Sequence, residues 1–212
     1  MIKRAKSLWP SRRKNKDDQD TEAKAIEKTL QKFSEDDNQL NDQLPEEQEI
    51  DTFKEPPLES LESLIELYSE GEFNQVLSLI NELLDQFPES VDLHNLAGAS
   101  MLGLKNFDAS INNYRQAIKI NPNFADAHNN LGVIYLSKGE FNSAVKSFEW
   151  AIAYSPNYSE AIRNLGSALQ KINQFDEAKK QFEKVISLDP EYAQAYEDLG
   201  ILCEIINLPN EA

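Results

Sequence analysis

Four prolines, Pro88, Pro122, Pro156 and Pro190, stand 34 residues apart, and five further columns keep the same step. Phe73, Phe107, Phe141 and Phe175 form one, and Gly98, Gly132, Gly166 and Gly200 another. Val76, Ser110, Ala144 and Ala178 are small or β-branched; Ile80, Tyr114, Phe148 and Phe182 are larger and apolar; Asn74, Asp108, Asn142, Asp176 and Asn210 are always Asn or Asp. A registered period of this length means one supersecondary unit repeated along the chain, whose apolar face is covered only by stacking on its neighbours.

Each repeat holds two amphipathic segments. In the third, Ala127, Leu131, Ile134 and Tyr135 fall at helical spacing over about 126–138, and Ala144, Val145, Phe148, Ala151 and Ile152 over about 143–153. Gly71 and Gly139 stand where a left-handed residue ends the first helix, with Asn173 and Asn207 as substitutes and Lys105 predicting a looser turn. The Asn/Asp column is placed as the N-cap of the second helix, with the preceding Phe as a hydrophobic staple. The proline blocks continuation of that helix. A glycine inside a helix costs about 1 kcal/mol relative to Ala, so the repeated Gly98, Gly132, Gly166 and Gly200 predict close approach of a partner helix, opposite Ser110, Ala144 and Ala178.

At this point the sequence resembles the tetratricopeptide-repeat family. The third repeat reads Leu131-Gly132, Tyr135, Ala144, Phe148, Ala151, Pro156, with His128 in place of the opening aromatic. The resemblance implies an all-α fold: a solenoid of helical hairpins wound as a right-handed superhelix. Repeats are expected at 57–90, 91–124, 125–158 and 159–192, with a partial one at 193–212. The first is degenerate, with Leu64 in the glycine column, as suits an N-terminal cap. Residues 1–55 read as a charged, largely disordered tail in which Ile26, Leu30 and Phe33 allow a short helix at 21–34. Asn210 and Ala212 match the columns that open a further second helix, so either the chain is a piece of a longer protein or the last helix acts as a lid.

Charge bounds the partners. The chain carries a formal net charge of −16, divided as +7 over residues 1–16, −10 over 17–57 and −13 over 58–212. An acidic body opposes nucleic-acid binding, since phosphate would be repelled. The basic head reads as a solvated end. It is also a candidate to fold back on the acidic groove. No apolar run is long enough to cross a bilayer, and the single cysteine, Cys203, excludes an intramolecular disulfide and fits a cytoplasmic protein. No phosphate loop, nucleophile elbow or metal-ligand spacing is found, so no enzyme activity, metal or cofactor is expected. His94 and His128 share one position of the repeat and are read as packing residues, and Cys203 as a small buried apolar one.

The family resemblance further implies that positions two, five, six and nine of each repeat line a concave groove. In this chain the groove candidates are Asn95, Asp126, Asn129, Asn130, Glu160, Arg163, Asn164 and Asp198. Asn130 and Asn164 are similar to the asparagine ladder of O-linked N-acetylglucosamine transferase repeats, which clamps a peptide backbone; an amide supplies donor and acceptor together. Solvated surface asparagines are the other reading. The carboxylate clamp that holds acidic chaperone tails would need Lys and Arg at these positions, where only Arg163 is basic. The expected partner is therefore a basic or neutral protein or peptide, without nucleic acid or membrane, and self-association through the C-terminal repeat is possible. A second reading takes the chain as the substrate-recruiting N-terminal part of a larger glycosyltransferase or sulfotransferase.

Overall fold

The computed structural model describes residues 55–207. The tail at 1–55, apart from Glu55 itself, its helix at 21–34 and the helix start at Asn210 lie outside the described residues. Among the described residues there are helices and no strands: α1 (Leu58–Glu70), α2 (Phe73–Leu84), α3 (Val91–Gly103), α4 (Phe107–Ile120), α5 (Ala125–Ser137), α6 (Phe141–Tyr154), α7 (Ser159–Lys171), α8 (Phe175–Leu188) and α9 (Ala193–Asn207). They group into two compact units that divide after Ala127.

Two kinds of turn alternate. The tight one closes α1, α3, α5 and α7 with a left-handed residue: Gly71 at φ +85°, Lys105 at +60°, Gly139 at +76° and Asn173 at +61°. In all four the next amide bonds back five residues, from Glu72 to Leu67 O, Asn106 to Met101 O, Glu140 to Tyr135 O and Gln174 to Leu169 O, at 2.8–3.0 Å. The turn at Lys105 is therefore no looser than the others. Neighbouring hydrogen bonds hold its backbone in a conformation its Cβ disfavours. Asn207, expected to be such a stop, is the last residue of α9.

The wider turn contains the proline. Asn121, Ser155 and Asp189 have ψ of 96°, 84° and 93°, extended as the clash with the following ring requires. Their carbonyls then accept from the amides of Phe124, Tyr158 and Tyr192 at 3.0–3.1 Å. Proline sits second in each of these turns, where its fixed φ is already correct.

The second helices begin earlier than the sequence suggests. The Phe column opens each helix and the Asn/Asp column is one residue inside it; the N-caps are Glu72, Asn106, Glu140 and Gln174. Of these only Asn106 caps through its side chain, which accepts from Ala109 N at 3.3 Å. Asp108 and Asp176 instead lie in the first turn, where a carboxylate is favoured by the helix dipole. The Phe is thus the first residue of its helix and not the residue before the cap that a staple uses. A Cβ added to Gly103 would stand 2.5 Å from the Phe73 ring, so Phe73 packs across onto α3.

In the first unit Leu61 and Leu64 of α1, Val76 and Ile80 of α2, and Leu93, Leu96 and Ala97 of α3 form a core. Leu64 occupies the glycine column and is 1 % exposed, so the degenerate position is filled rather than lost. In the second unit Ala144, Phe148, Leu165, Ala168, Leu169, Ala178, Phe182 and Leu202 form the main cluster, with Ile162, Val185 and Ala195 beside it.

The glycine column has the reason expected of it, with a different partner. A Cβ at Gly98, Gly132 or Gly166 would stand 2.7, 2.5 or 2.6 Å from the ring of Tyr114, Phe148 or Phe182. The large aromatic column, rather than the small one, lies against the glycine. The small column contributes once visibly, where Ser110 Oγ donates to Gly98 O at 2.6 Å. At Gly200 nothing lies within 4 Å.

Candidate functional site

The repeat places positions two, five, six and nine one helical turn apart, so they share a face of each first helix. In the second unit that face carries a hydrogen-bonded network. Asn129 is its hub, with a side chain only 1 % exposed. Its Oδ1 accepts from Asn164 Nδ2 at 3.0 Å, and its Nδ2 points at the Tyr158 hydroxyl at 3.5 Å. Asn129 also hydrogen-bonds Glu160. An amide this buried costs about 1–3 kcal/mol unless its bonds are made, and here they are.

Arg163 is the second centre. Its Nε donates to Asp198 Oδ2 at 2.7 Å, with both side chains half-buried, and it hydrogen-bonds Tyr192. Both inter-repeat bonds link residues 35 apart, position five of one repeat to position six of the next. Burial pushes the Glu160 carboxyl up, opposed by the nearby Arg163 charge and the Asn129 hydrogen bond. Burial also pushes the Tyr192 phenol up, with Arg163 opposing it.

The expected groove residues thus divide. Glu160, Arg163, Asn164 and Asp198 come together on α7 and α9 and are half-buried, as is Asn130 on α5. Asn129 belongs to the same network from beneath. In the first unit Asn95 and Asp126 are 2 % and 4 % exposed; each has an interaction partner, as does Asn130. Tyr158 and Tyr192 were not anticipated. They close the proline turns immediately before α7 and α9, and the recurrence of Phe124, Tyr158 and Tyr192 at the step of 34 is the signal that marks them.

The other singled-out residues are packed. His128 lies 6.2 Å from the Trp150 ring and 5.4 Å from that of Tyr154, so it stands in an aromatic cluster as its position suggests. His94 Nε2 is 3.1 Å from Pro88 O; a carbonyl only accepts, so Nε2 carries the proton. Cys203 is half-buried rather than buried. Among the described residues no group of His, Cys, Asp and Glu could hold a metal ion, and no helix is long and apolar enough to cross a membrane.

Comparison with known proteins agrees with this geometry. The tetratricopeptide-repeat sequence profiles match residues 104–139, 125–158 and 159–192. No curated protein matches the chain. Among solved structures it is similar to MamA, with 22 % identity over 68 % of this chain and 85 % of that one and a TM-score of 0.61. It is also similar to PilF of Pseudomonas aeruginosa, at 19 % identity over 70 % of this chain and 68 % of that one, TM-score 0.66. A third likeness is the first repeat domain of Spaghetti (RPAP3) bound to the HSP90 peptide SRMEEVD, at 21 % identity over 56 % and 94 %, TM-score 0.54. At these identities the likeness is one of fold. With the 34-residue columns, the glycine–aromatic contacts and the matched profiles together, the chain belongs to the tetratricopeptide-repeat family.

Proposed function

We propose that the chain is a protein-interaction scaffold, and that the face of α7 and α9 holds an extended peptide of basic or neutral character. The observation that carries the choice of partner is the bond from Arg163 to Asp198 at 2.7 Å. It commits the one base among the groove positions of these two helices. Glu160, half-buried, and Glu197, exposed, then give the face a net negative potential, which favours a basic partner and rejects an acidic one. Asn164 offers an amide beside them, able to meet a peptide backbone without reading its side chains. The RPAP3 domain is bound to an acidic peptide; this chain shares the fold, but its net charge of −16 has the same sign as that peptide.

Fluorescent heptapeptides test the reading: SRMEEVD itself, and a counterpart with its three acids replaced by Lys. The lysine peptide is expected to bind, more weakly as salt is raised, and to lose about tenfold in affinity in Glu160→Gln/Glu197→Gln. SRMEEVD is expected not to bind. Preferential binding of SRMEEVD, or binding of both peptides unaffected by these substitutions, refutes the assignment.

A further inference from the structure

Asn129 decides which way the half-buried amide of Asn164 faces. It is itself only 1 % exposed, and its two branches meet different groups. Burial raises the Glu160 pKa, and the Arg163 charge and a hydrogen bond with Asn129 act against that rise. A hydrogen bond that favours the charged carboxyl is one donated to it. The Asn129 branch on that side is therefore Nδ2, which also points at the Tyr158 hydroxyl. Oδ1 is the branch left for Asn164, and only a donor satisfies it. Asn164 accordingly turns its Nδ2 toward Asn129, at 3.0 Å, and its Oδ1 lies on the opposite branch of the same planar amide. The donor branch is held against the fold, and the acceptor is left to the groove.

The same step recurs one repeat on. Arg163, in position five of α7, donates from Nε to Oδ2 of Asp198, in position six of α9, at 2.7 Å. The other carboxylate oxygen of Asp198 is an acceptor as well. Asn164 and Asp198 stand 34 residues apart, so position six offers an oxygen on both helices. Arg163, the base beside them, also bonds Tyr192.

We infer that this face recognises an extended peptide through its backbone N–H groups, with Asn164 Oδ1 as the accepting atom and Asn129 as the residue that positions it. The inference rests on the assignment of α7 and α9 as the peptide face, and narrows it. An amide with both branches open would grip N–H and C=O alike; this one takes the N–H. A residue without that group, proline above all, has no place over Asn164.

Ester substitution tests this, because an ester deletes one N–H and keeps the length of the peptide. In the lysine heptapeptide, with one backbone amide replaced at a time, one position is expected to lose about three- to tenfold in affinity for the full chain. That loss is expected to vanish in Asn164→Ala, where the ester and amide peptides should bind alike. Asn129→Leu frees the Asn164 amide to rotate and is expected to blunt the loss. Asn129→Asp/Glu160→Gln exchanges donor and acceptor between those two side chains and still presents an oxygen to Asn164 Nδ2. It is expected to keep the loss, read as the ratio of ester to amide affinity. If SRMEEVD binds in place of the lysine peptide, the charge assignment falls, and the same scan on SRMEEVD decides this inference. Equal affinity of all the esters overturns it. So does a loss that persists in Asn164→Ala, a double variant that behaves as Asn129→Leu does, or binding of neither peptide.

Discussion

A Cβ at Gly132 would stand 2.5 Å from the ring of Phe148, which is fully buried, so neither partner has room to give. Overpacking of this kind costs about 1–3 kcal/mol, against a gain of about 1 kcal/mol for replacing a helical glycine by alanine. Gly132→Ala is expected to lower stability in urea melts by about 1–2 kcal/mol, and Phe148→Leu to recover part of that in the double variant. Gly200 occupies the same column with nothing within 4 Å. There the helix gain stands alone, and Gly200→Ala is expected to raise stability by up to about 1 kcal/mol. Lys105 presents the converse case. Its left-handed φ of +60° costs about 1–2 kcal/mol, partly offset by the extra chain entropy a glycine would lose. Lys105→Gly is expected to stabilise by about 0.5–1 kcal/mol, measured in the same melts. Equal melts for Lys105→Gly and the parent would show that the turn holds no such strain.

At the scale of helices, α7 matters most, since it joins Asn129 of α5 through Asn164 and Glu160, and Asp198 of α9 through Arg163. Its one raised carboxyl makes that junction sensitive to pH. Burial raises the Glu160 pKa above the ordinary value of 4.5. Between those two values the folded chain holds a proton that the unfolded chain has released, so stability from this group grows as pH falls through the raised pKa and is least above it. Glu160→Gln is expected to remove that contribution. Melts at intervals over about pH 4–7 should show a shallower rise toward acid in the variant than in the parent; unchanged slopes would place the proton elsewhere. The helix starts carry a different lesson. Reading the Asn/Asp column as caps follows the usual preference, yet the left-handed turn has already engaged the preceding residue, so the Phe begins the helix and the carboxylates fall inside it.

For the molecule as a whole, the net charge of −16 sets the sign of any long-range attraction, and the proposed preference for basic peptides follows from that sign together with the Arg163–Asp198 bond. Periodicity alone determined the helices, the two kinds of turn, the close approach of a partner helix at the glycine column and the family; that the aromatic column rather than the small one lies against those glycines came from the structure. Each of these depends on residues close in sequence or exactly one repeat apart, and such relations repeat visibly along the chain. The family resemblance, rather than the columns themselves, implied the face on which a partner is expected. Only the tertiary structure decided which residues of that face are spent on one another: Asn129 holding Asn164, Arg163 holding Asp198, Tyr158 and Tyr192 closing in from the turns. It alone showed that positions two, five, six and nine are buried on α3 and mostly exposed on α9. These outcomes turn on the reach of individual side chains and on what covers them, and a repeat pattern, being the same at every step, does not record either.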